Sequence, residues 1–240
     1  EFLIKSHLMD GAFSKLYRGI FNQKECVIKK IYSNKYRDIE QEILSYNHDY
    51  KNLLRGIDKF ENTHEISLIL PYYKNGDLLD NIVNIAPISE YEVKCYLFQM
   101  LNSINTLNEI GYVHLDIKLE NFLIDDFNKL VLSDFGSSNY LLNNNNLMKI
   151  NYPVGTLRYS SPELHNGYYC NKSDIWSLGI CIYMLATGEI LYDNVRNYKS
   201  NEINVKNFSK DFNNLLNDMI DKDINSRISC TDALNHKIFL

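Results

Sequence analysis

The sequence lacks features that mark several classes of protein. No run reaches the roughly 18 apolar residues that a membrane helix needs, so we expect no membrane span. The formal net charge of −5 disfavours a nucleic-acid-binding protein, since such proteins present a basic face. The five cysteines form no Cys-x-x-Cys pair, which excludes the common zinc motifs and gives no disulfide framework.

The cysteines and the first residues give two further expectations. Each cysteine lies beside apolar neighbours, so we expect five buried free thiols in a reducing, intracellular compartment, cytoplasmic or nuclear. The chain opens at Glu1 within a strand-like pattern and without Met, which indicates a domain from a longer protein. The oligomeric state is left open, with a monomer as the default.

The apolar pattern changes near residue 71. Strand-like runs at 1–4, 15–18, 26–29 and 66–70 are interrupted by one helical pattern, with Ile39 and Ile43 on a common face. Helical spacing then dominates: residues 88–110, with Ser89 as N-cap, are followed by helices near 172–185 and 211–220. This order predicts an α+β fold of two lobes, over residues 1–71 and 72–240.

The strongest chemical signal lies in residues 114–121 and in Asp134-Phe135-Gly136, with a predicted β-hairpin between them. Asn121 and Asp134 offer oxygen ligands of the kind that Mg²⁺ prefers. Asp116 can orient a hydroxyl group and accept its proton. Lys118 can offset charge on a transferring phosphoryl group.

These residues resemble the catalytic loop and the metal motif of the protein-kinase family, His-Arg-Asp-x-x-x-x-Asn and Asp-Phe-Gly, and the resemblance covers nearly the whole chain. It implies a bilobal kinase fold, with Asp116 as catalytic base and Asn121 and Asp134 as metal ligands. Lys118, two residues after the base, is typical of the serine/threonine branch. The implied reaction transfers the γ-phosphate of Mg-ATP to hydroxyl groups of protein substrates.

The resemblance also assigns the nucleotide site. Lys29 matches the strand lysine that contacts the α- and β-phosphates; alone, it would be read as a solvated edge charge. Its partner on the next helix is Glu40, with Glu42 as the alternative. Residues 8–16 match the glycine-rich loop, although Met9 replaces the first glycine. The implied nucleotide contacts of this loop are Leu8, Gly11, Ser14 and Leu16.

Residues 69–77 resemble the hinge between kinase lobes. Leu70 would then flank the adenine pocket, and the backbones of Pro71 and Tyr73 would meet the purine edge. Asp77 would reach the ribose. The alternative is a linker that contacts no ligand.

Residues 155–163 resemble the end of a kinase activation segment. The resemblance implies that Thr156 braces Asp116 and Lys118, and that Glu163 forms a bidentate pair with Arg227. Asp174, in the predicted helix that follows, would hold the backbone of the catalytic loop.

Leu115 departs from the family pattern, since most kinases have arginine there to bind a phosphate on the activation loop. We therefore predict that activity depends little on such phosphorylation. Met9 and Leu115 also support an alternative, a pseudokinase that binds nucleotide or acts as a scaffold. Retention of the base, the metal ligands and the lysine favours an active enzyme. Small-molecule kinases and tyrosine specificity are further alternatives.

Overall fold

An antiparallel sheet forms most of the first lobe in the computed structural model, which describes residues 1–11, 14–32, 50–62, 65–141, 147–192 and 202–239. The five strands lie in the order β1-β2-β3-β5-β4. Their bounds are β1 (Phe2–Asp10), β2 (Ser14–Phe21), β3 (Lys24–Tyr32), β4 (Asp58–Glu61) and β5 (Glu65–Pro71). The four strands predicted from the sequence are confirmed, and the short edge strand β4 was not predicted.

The register of this sheet positions Lys29. Leu16 lies opposite Lys29 in the β2–β3 pair, and Met9 lies opposite Leu16 in the β1–β2 pair. Leu68 lies opposite Lys29 on the other side, in β5. The Lys29 side chain is buried although it carries a charge, whereas an edge lysine would be solvated.

Helices dominate the second lobe. Their bounds are α1 (Leu78–Ile82), α2 (Glu90–Glu109), α3 (Pro162–His165), α4 (Asn171–Thr187), α5 (Lys210–Met219) and α6 (Cys230–Leu234). Ser89 caps α2 as predicted: its hydroxyl accepts from the Glu92 backbone, and its own backbone N–H donates to the Glu92 carboxylate. Helix α4 is buried along most of its length and packs against α2 and α5.

Short strands shape the site between these helices. They are β6 (Tyr112–Val113), β7 (Phe122–Ile124), β8 (Leu130–Leu132), β9 (Asn139–Tyr140), β10 (Met148–Lys149) and β11 (Tyr168–Tyr169). The β7–β8 pair is the hairpin that the sequence predicts between the two motifs. Strand β6 pairs with β9, and β10 pairs with β11.

The architecture confirms an α+β, bilobal fold. Strand β5 ends at Pro71, and the division at that residue stays a prediction. The helical pattern around Ile39 and Ile43 lies outside the described residues. The expectation of five buried thiols is wrong for Cys95, which is exposed because it lies on the outer face of α2; the other four cysteines are buried. Over the described ranges, no helix is both long and apolar enough to cross a membrane.

Candidate active site

Asp174 fixes the backbone at the start of the catalytic loop. Its two carboxylate oxygens accept from the N–H groups of His114 at 2.7 Å and Leu115 at 2.8 Å. Leu115 has a left-handed φ of 65°, which an L-residue adopts only when its surroundings hold it there. The Asp174 side chain is fully buried in α4, and this burial raises the pKa of its carboxyl group. The contact confirms the predicted role of Asp174.

Asp116 lies at the centre of a hydrogen-bond network. Its Oδ2 accepts from Lys118 Nζ at 2.8 Å, and the same ammonium donates to Thr156 Oγ1 at 3.1 Å. Asn121 Nδ2 donates to the Asp116 carbonyl at 2.8 Å. Within the described part of the chain, Asp116 Oδ1 is buried and has no hydrogen-bond partner. One oxygen of this carboxylate is therefore held in place, while the other can still accept a proton or a hydrogen bond.

Lys118 carries its charge in a partly buried position. Burial alone would lower the pKa of its ammonium group, but nearby carboxylates outweigh that effect and the pKa is raised. Asp116, which accepts a hydrogen bond from the ammonium, contributes most to this increase, and Asp134 and Glu120 add to it. The charged form of Lys118 is therefore favoured at neutral pH.

Asp134 pairs with the strand lysine. Lys29 Nζ donates to Asp134 Oδ1 at 2.9 Å, and this ammonium is the main cause of a strongly lowered Asp134 pKa. Asp134 follows β8 with a left-handed φ of 60° and ψ of 71°. Its side chain is 47% exposed, whereas that of Lys29 is 8% exposed. The carboxylate is ionised at neutral pH, and its contact with Lys29 joins the end of the β7–β8 hairpin to the sheet of the first lobe.

His114 and Ser133 connect the two motifs. His114 Nε2 lies 2.9 Å from the Ser133 carbonyl oxygen, and Ser133 N–H donates to the Asn121 carbonyl at 2.8 Å. The His114 ring also meets Phe135 edge-on, with ring centroids 5.5 Å apart. Sequence reasoning gave Ser133 no role, because a backbone carbonyl contact leaves no signal in residue type.

The predicted glycine-rich loop lies at the β1–β2 turn. Gly11 N–H donates to the Ser14 carbonyl at 2.8 Å, and a Cβ at Gly11 would lie 3.0 Å from Ser14 Oγ. Leu8 and Met9 are exposed on β1, while Leu16 lies across from Lys29. The loop residues and the strand lysine therefore share one part of the sheet. Nucleotide contact by these residues stays a prediction.

The predicted hinge follows the end of β5. Leu70 and Pro71 still pair with β3, and the Tyr73 carbonyl accepts from Gly76 N–H at 3.1 Å. Asp77 Oδ1 accepts from Asp80 N–H at 2.9 Å, so this carboxylate caps α1. Burial raises the pKa of Asp77. Its contact with a ribose stays a prediction, as do the purine contacts.

Glu40 and Glu42, the two candidates for the Lys29 partner, lie outside the described residues. Within those residues, the carboxylate found against Lys29 is that of Asp134. The pairing with a helix glutamate stays a prediction.

A buried ion pair ties the end of the activation segment to the second lobe. Arg227 donates to Glu163 through two nitrogens, at 2.7 and 3.0 Å, as the sequence predicts. Ser173 Oγ adds a hydrogen bond to Glu163 Oε1 at 2.8 Å. The arginine is 1% exposed and also donates to the Lys172 carbonyl at 3.0 Å. Bidentate pairs of this kind fix orientation as well as position.

The family model described as the protein kinase domain matches residues 2–239. Human NUAK family SNF1-like kinase 1 is 28% identical over 253 residues, with 97% of this chain and 37% of that protein covered. Yeast (Saccharomyces cerevisiae) serine/threonine-protein kinase PKH2 is 28% identical over 270 residues, with 100% of this chain and 25% of that protein covered. Mouse serine/threonine-protein kinase MRCK gamma is 37% identical over 137 residues, 54% of this chain and 9% of that protein. The chain thus spans well under half the length of these relatives.

Proposed function

The chain belongs to the protein kinase family, and from this premise we propose that it is a serine/threonine kinase that transfers the γ-phosphate of Mg-ATP to protein hydroxyl groups. The observation that carries the proposal is the carboxylate of Asp116. One of its oxygens is held by Lys118, and the other is buried without a partner among the described residues. A general base needs this arrangement, because it must be oriented and still able to accept a proton.

The residues present fit a hard divalent cation, and Mg²⁺ is our proposal for its identity. Asn121 uses its amide nitrogen to donate to the Asp116 carbonyl, so we assign its amide oxygen, together with the ionised carboxylate of Asp134, as a ligand of the cation. No group of three or more His, Cys, Asp or Glu side chains forms a metal site in the described ranges. Mg²⁺ tolerates this, since it completes its shell with water and substrate phosphates. When bound, it would supply positive charge next to the phosphates.

The protein's own residues have separate tasks in the proposed reaction. Lys29 would hold the phosphates from the sheet, and Asp116 Oδ1 would accept the proton of the attacking hydroxyl group. That hydroxyl oxygen bonds to the γ-phosphorus as the bond from phosphorus to the ADP oxygen breaks. Lys118 would offset the negative charge on the transferring group, and its contact with Thr156 keeps it next to the base.

Two observations support an active serine/threonine kinase over both alternatives, tyrosine specificity and a pseudokinase. Lys118 bridges Asp116 and Thr156, the arrangement expected for the serine/threonine branch. The relatives PKH2 and MRCK gamma carry serine/threonine-protein kinase in their names. The substitutions at Met9 and Leu115 leave this network intact. We also propose an intracellular location, because ATP is the donor and the cysteines are free thiols.

A radiolabel transfer assay with Mg-ATP and a generic basic protein tests the proposal. We expect phosphoserine or phosphothreonine from the wild type, and losses of at least about 100-fold in kcat for Asp116→Asn and Asp134→Asn. Asp126→Asn is the matched control. That carboxylate is 68% exposed, pairs with Lys74 and lies in the turn between β7 and β8, the hairpin that precedes Asp134. Labelling that survives Asp134→Asn would contradict the metal assignment. ATP binding without transfer by the wild type would favour the pseudokinase.

A further inference from the structure

Leu115 lies in an apolar cluster that joins the catalytic loop to the activation segment. The leucine is 3% exposed, although the catalytic-loop pattern of the family has a charged arginine at this position. The buried members are Val113 and Leu115 from the loop side, Ile150 from the activation segment, and Tyr169 from β11. We call these four residues the Leu115 cluster. Its core joins segments far apart in sequence, so it can hold one against the other.

Tyr152 packs its half-buried ring against the Leu115 cluster. Its hydroxyl oxygen accepts from Asn139 Nδ2 at 3.2 Å, which links it to β9. The Tyr169 hydroxyl donates to the Tyr140 carbonyl at 3.0 Å, on the same strand. Tyr152 therefore connects the later part of the activation segment with β9, and Tyr169 connects β11 with the same strand.

The charge of this region does not suit a bound phosphate. Between Ser137 and Glu163 the sequence contains two basic residues, Lys149 and Arg158, and both are exposed to solvent. The loop position that could supply a guanidinium holds Leu115 instead. Phosphate recognition depends on charge-assisted hydrogen bonds from arginine or lysine. Apolar contact and hydroxyl groups take their place here.

The residues that follow Tyr152 in the sequence lie next to the catalytic base. Gly155 has a φ of 73°, and a Cβ there would lie 2.3 Å from the Leu115 carbonyl and 3.7 Å from Asp116 Oδ1. Thr156 then accepts from Lys118 Nζ at 3.1 Å. A shift of this segment away from the Leu115 cluster would move Gly155 and Thr156 together and disturb both sides of the base.

We propose that Tyr152 is a positioning residue. Its ring, packed on the Leu115 cluster, holds the activation segment against the catalytic loop without any added phosphate. The inference rests on the proposed kinase function and names how that same site is kept in order. It assigns this task to a tyrosine that touches neither the phosphates nor the base.

Three variants at this position, with one matched control, test the proposal. We expect Tyr152→Ala to lower kcat about tenfold or more while the KM for ATP stays within about twofold, because misplacement of the segment affects the transfer step. Tyr152→Phe keeps the ring and should retain about one third or more of the wild-type kcat, with Tyr152→Leu between the two. Tyr168→Ala removes an exposed tyrosine from β11, outside the Leu115 cluster, and should change kcat by less than about twofold.

Amide hydrogen exchange supplies a readout that needs no catalysis. Tyr152→Ala should raise exchange at residues 150–156, and Tyr168→Ala should not. If the wild type transfers no phosphate, the proposed function fails, and the exchange comparison still tests the role of Tyr152. If Tyr152→Ala does not fold, Tyr152→Leu carries the comparison. The proposal would be overturned if the tested variant showed the same exchange and the same kcat as the wild type. It would also be overturned if phosphatase treatment lowered the kcat of the wild type tenfold or more.

Discussion

The Glu163–Arg227 pair shows how a charged contact can become important when both partners leave water. Arg227 is 1% and Glu163 9% exposed, so neither charge can be solvated if the other is removed. Burial alone would raise the pKa of Glu163, but the hydrogen bonds and the positive charge of Arg227, together with the hydrogen bond from Ser173, outweigh it and the pKa is lowered. The pair fixes the last turn of the activation segment on α4 and on the segment before α6.

We expect Glu163→Gln to lower the free energy of unfolding by about 3–5 kcal/mol, because it leaves a buried guanidinium without its anion. Urea unfolding at pH 7 measures this value. Asp126→Asn, which breaks the surface pair with Lys74, should cost less than about 1 kcal/mol. Equal losses for the two variants would contradict the view that burial decides the value of the pair.

The lowered pKa of Glu163 also fixes the direction of a pH effect. A carboxyl group whose pKa is lower in the folded state contributes its full stabilisation above the unfolded pKa, about 4.3 for glutamate. That contribution is lost as the pH falls through the lowered folded value. The stability difference between wild type and Glu163→Gln should therefore stay constant from about pH 6 to 8 and shrink below about pH 4.

At the scale of elements, α4 packs tightly against the end of α5 at Gly179. A Cβ on Gly179 would lie 2.6 Å from Ile220 Cγ2 and 3.3 Å from Met219 Cβ. The residue is in the middle of a buried helix, where glycine is intrinsically unfavourable by about 1 kcal/mol relative to alanine. Its presence is explained by the contact, which leaves no room for a methyl group.

Gly179→Ala should therefore destabilise the protein, since overpacking of about 1–3 kcal/mol exceeds the gain in helix propensity. Denaturant unfolding of the single variant should show a net loss of about 1 kcal/mol. Ile220→Leu removes the Cγ2 branch, so the double variant should recover part of that loss. Full additivity of the two substitutions would mean that this contact does not limit the packing.

Long periodic elements could be predicted from the sequence, and so could the short β7–β8 hairpin, because it lies between two motifs of known spacing; the other short elements could not. The 20 residues of α2 repeat their apolar positions over several turns and begin with a capping box, so pattern and cap agree. Strand β4, with the sequence Asp-Lys-Phe-Glu, has one apolar residue, and the five-residue α1 has too few turns to show a period. Strands β6, β9, β10 and β11 have two residues each and exist only through partners distant in sequence.

The candidate site follows the same division. Asp116, Asn121 and Asp134 could be found because their spacing along the chain is itself the signal. The surroundings of Leu115 could not, since Ile150 and Tyr169 reach it through tertiary packing. Leucine at that position indicated the loss of a phosphate contact, but the sequence did not show what replaces it.

At the scale of the whole molecule, the Lys29–Asp134 pair joins the sheet to the second lobe across 105 positions of sequence. The lysine comes from the middle strand of the sheet, and the aspartate comes from the end of the β7–β8 hairpin. A nucleotide that bound between the lobes would contact both elements. Its binding should therefore stabilise the folded protein as a unit rather than one lobe alone.

Thermal unfolding with and without Mg-ATP measures this coupling. Ligand at about 100 times its Kd adds about 2.7 kcal/mol to the folded state, which for a chain of this size raises the Tm by about 5–10 °C. Asp134→Asn should lose most of the magnesium-dependent part of that shift, because the neutral amide is a weaker ligand for a hard cation.

Met9→Gly should increase the shift at a fixed ATP concentration, since glycine lets the β1–β2 turn approach the phosphates more closely. Equal midpoints for the wild type with and without Mg-ATP, beside a clear increase for Met9→Gly, would mean that the methionine prevents nucleotide binding and would support the pseudokinase alternative.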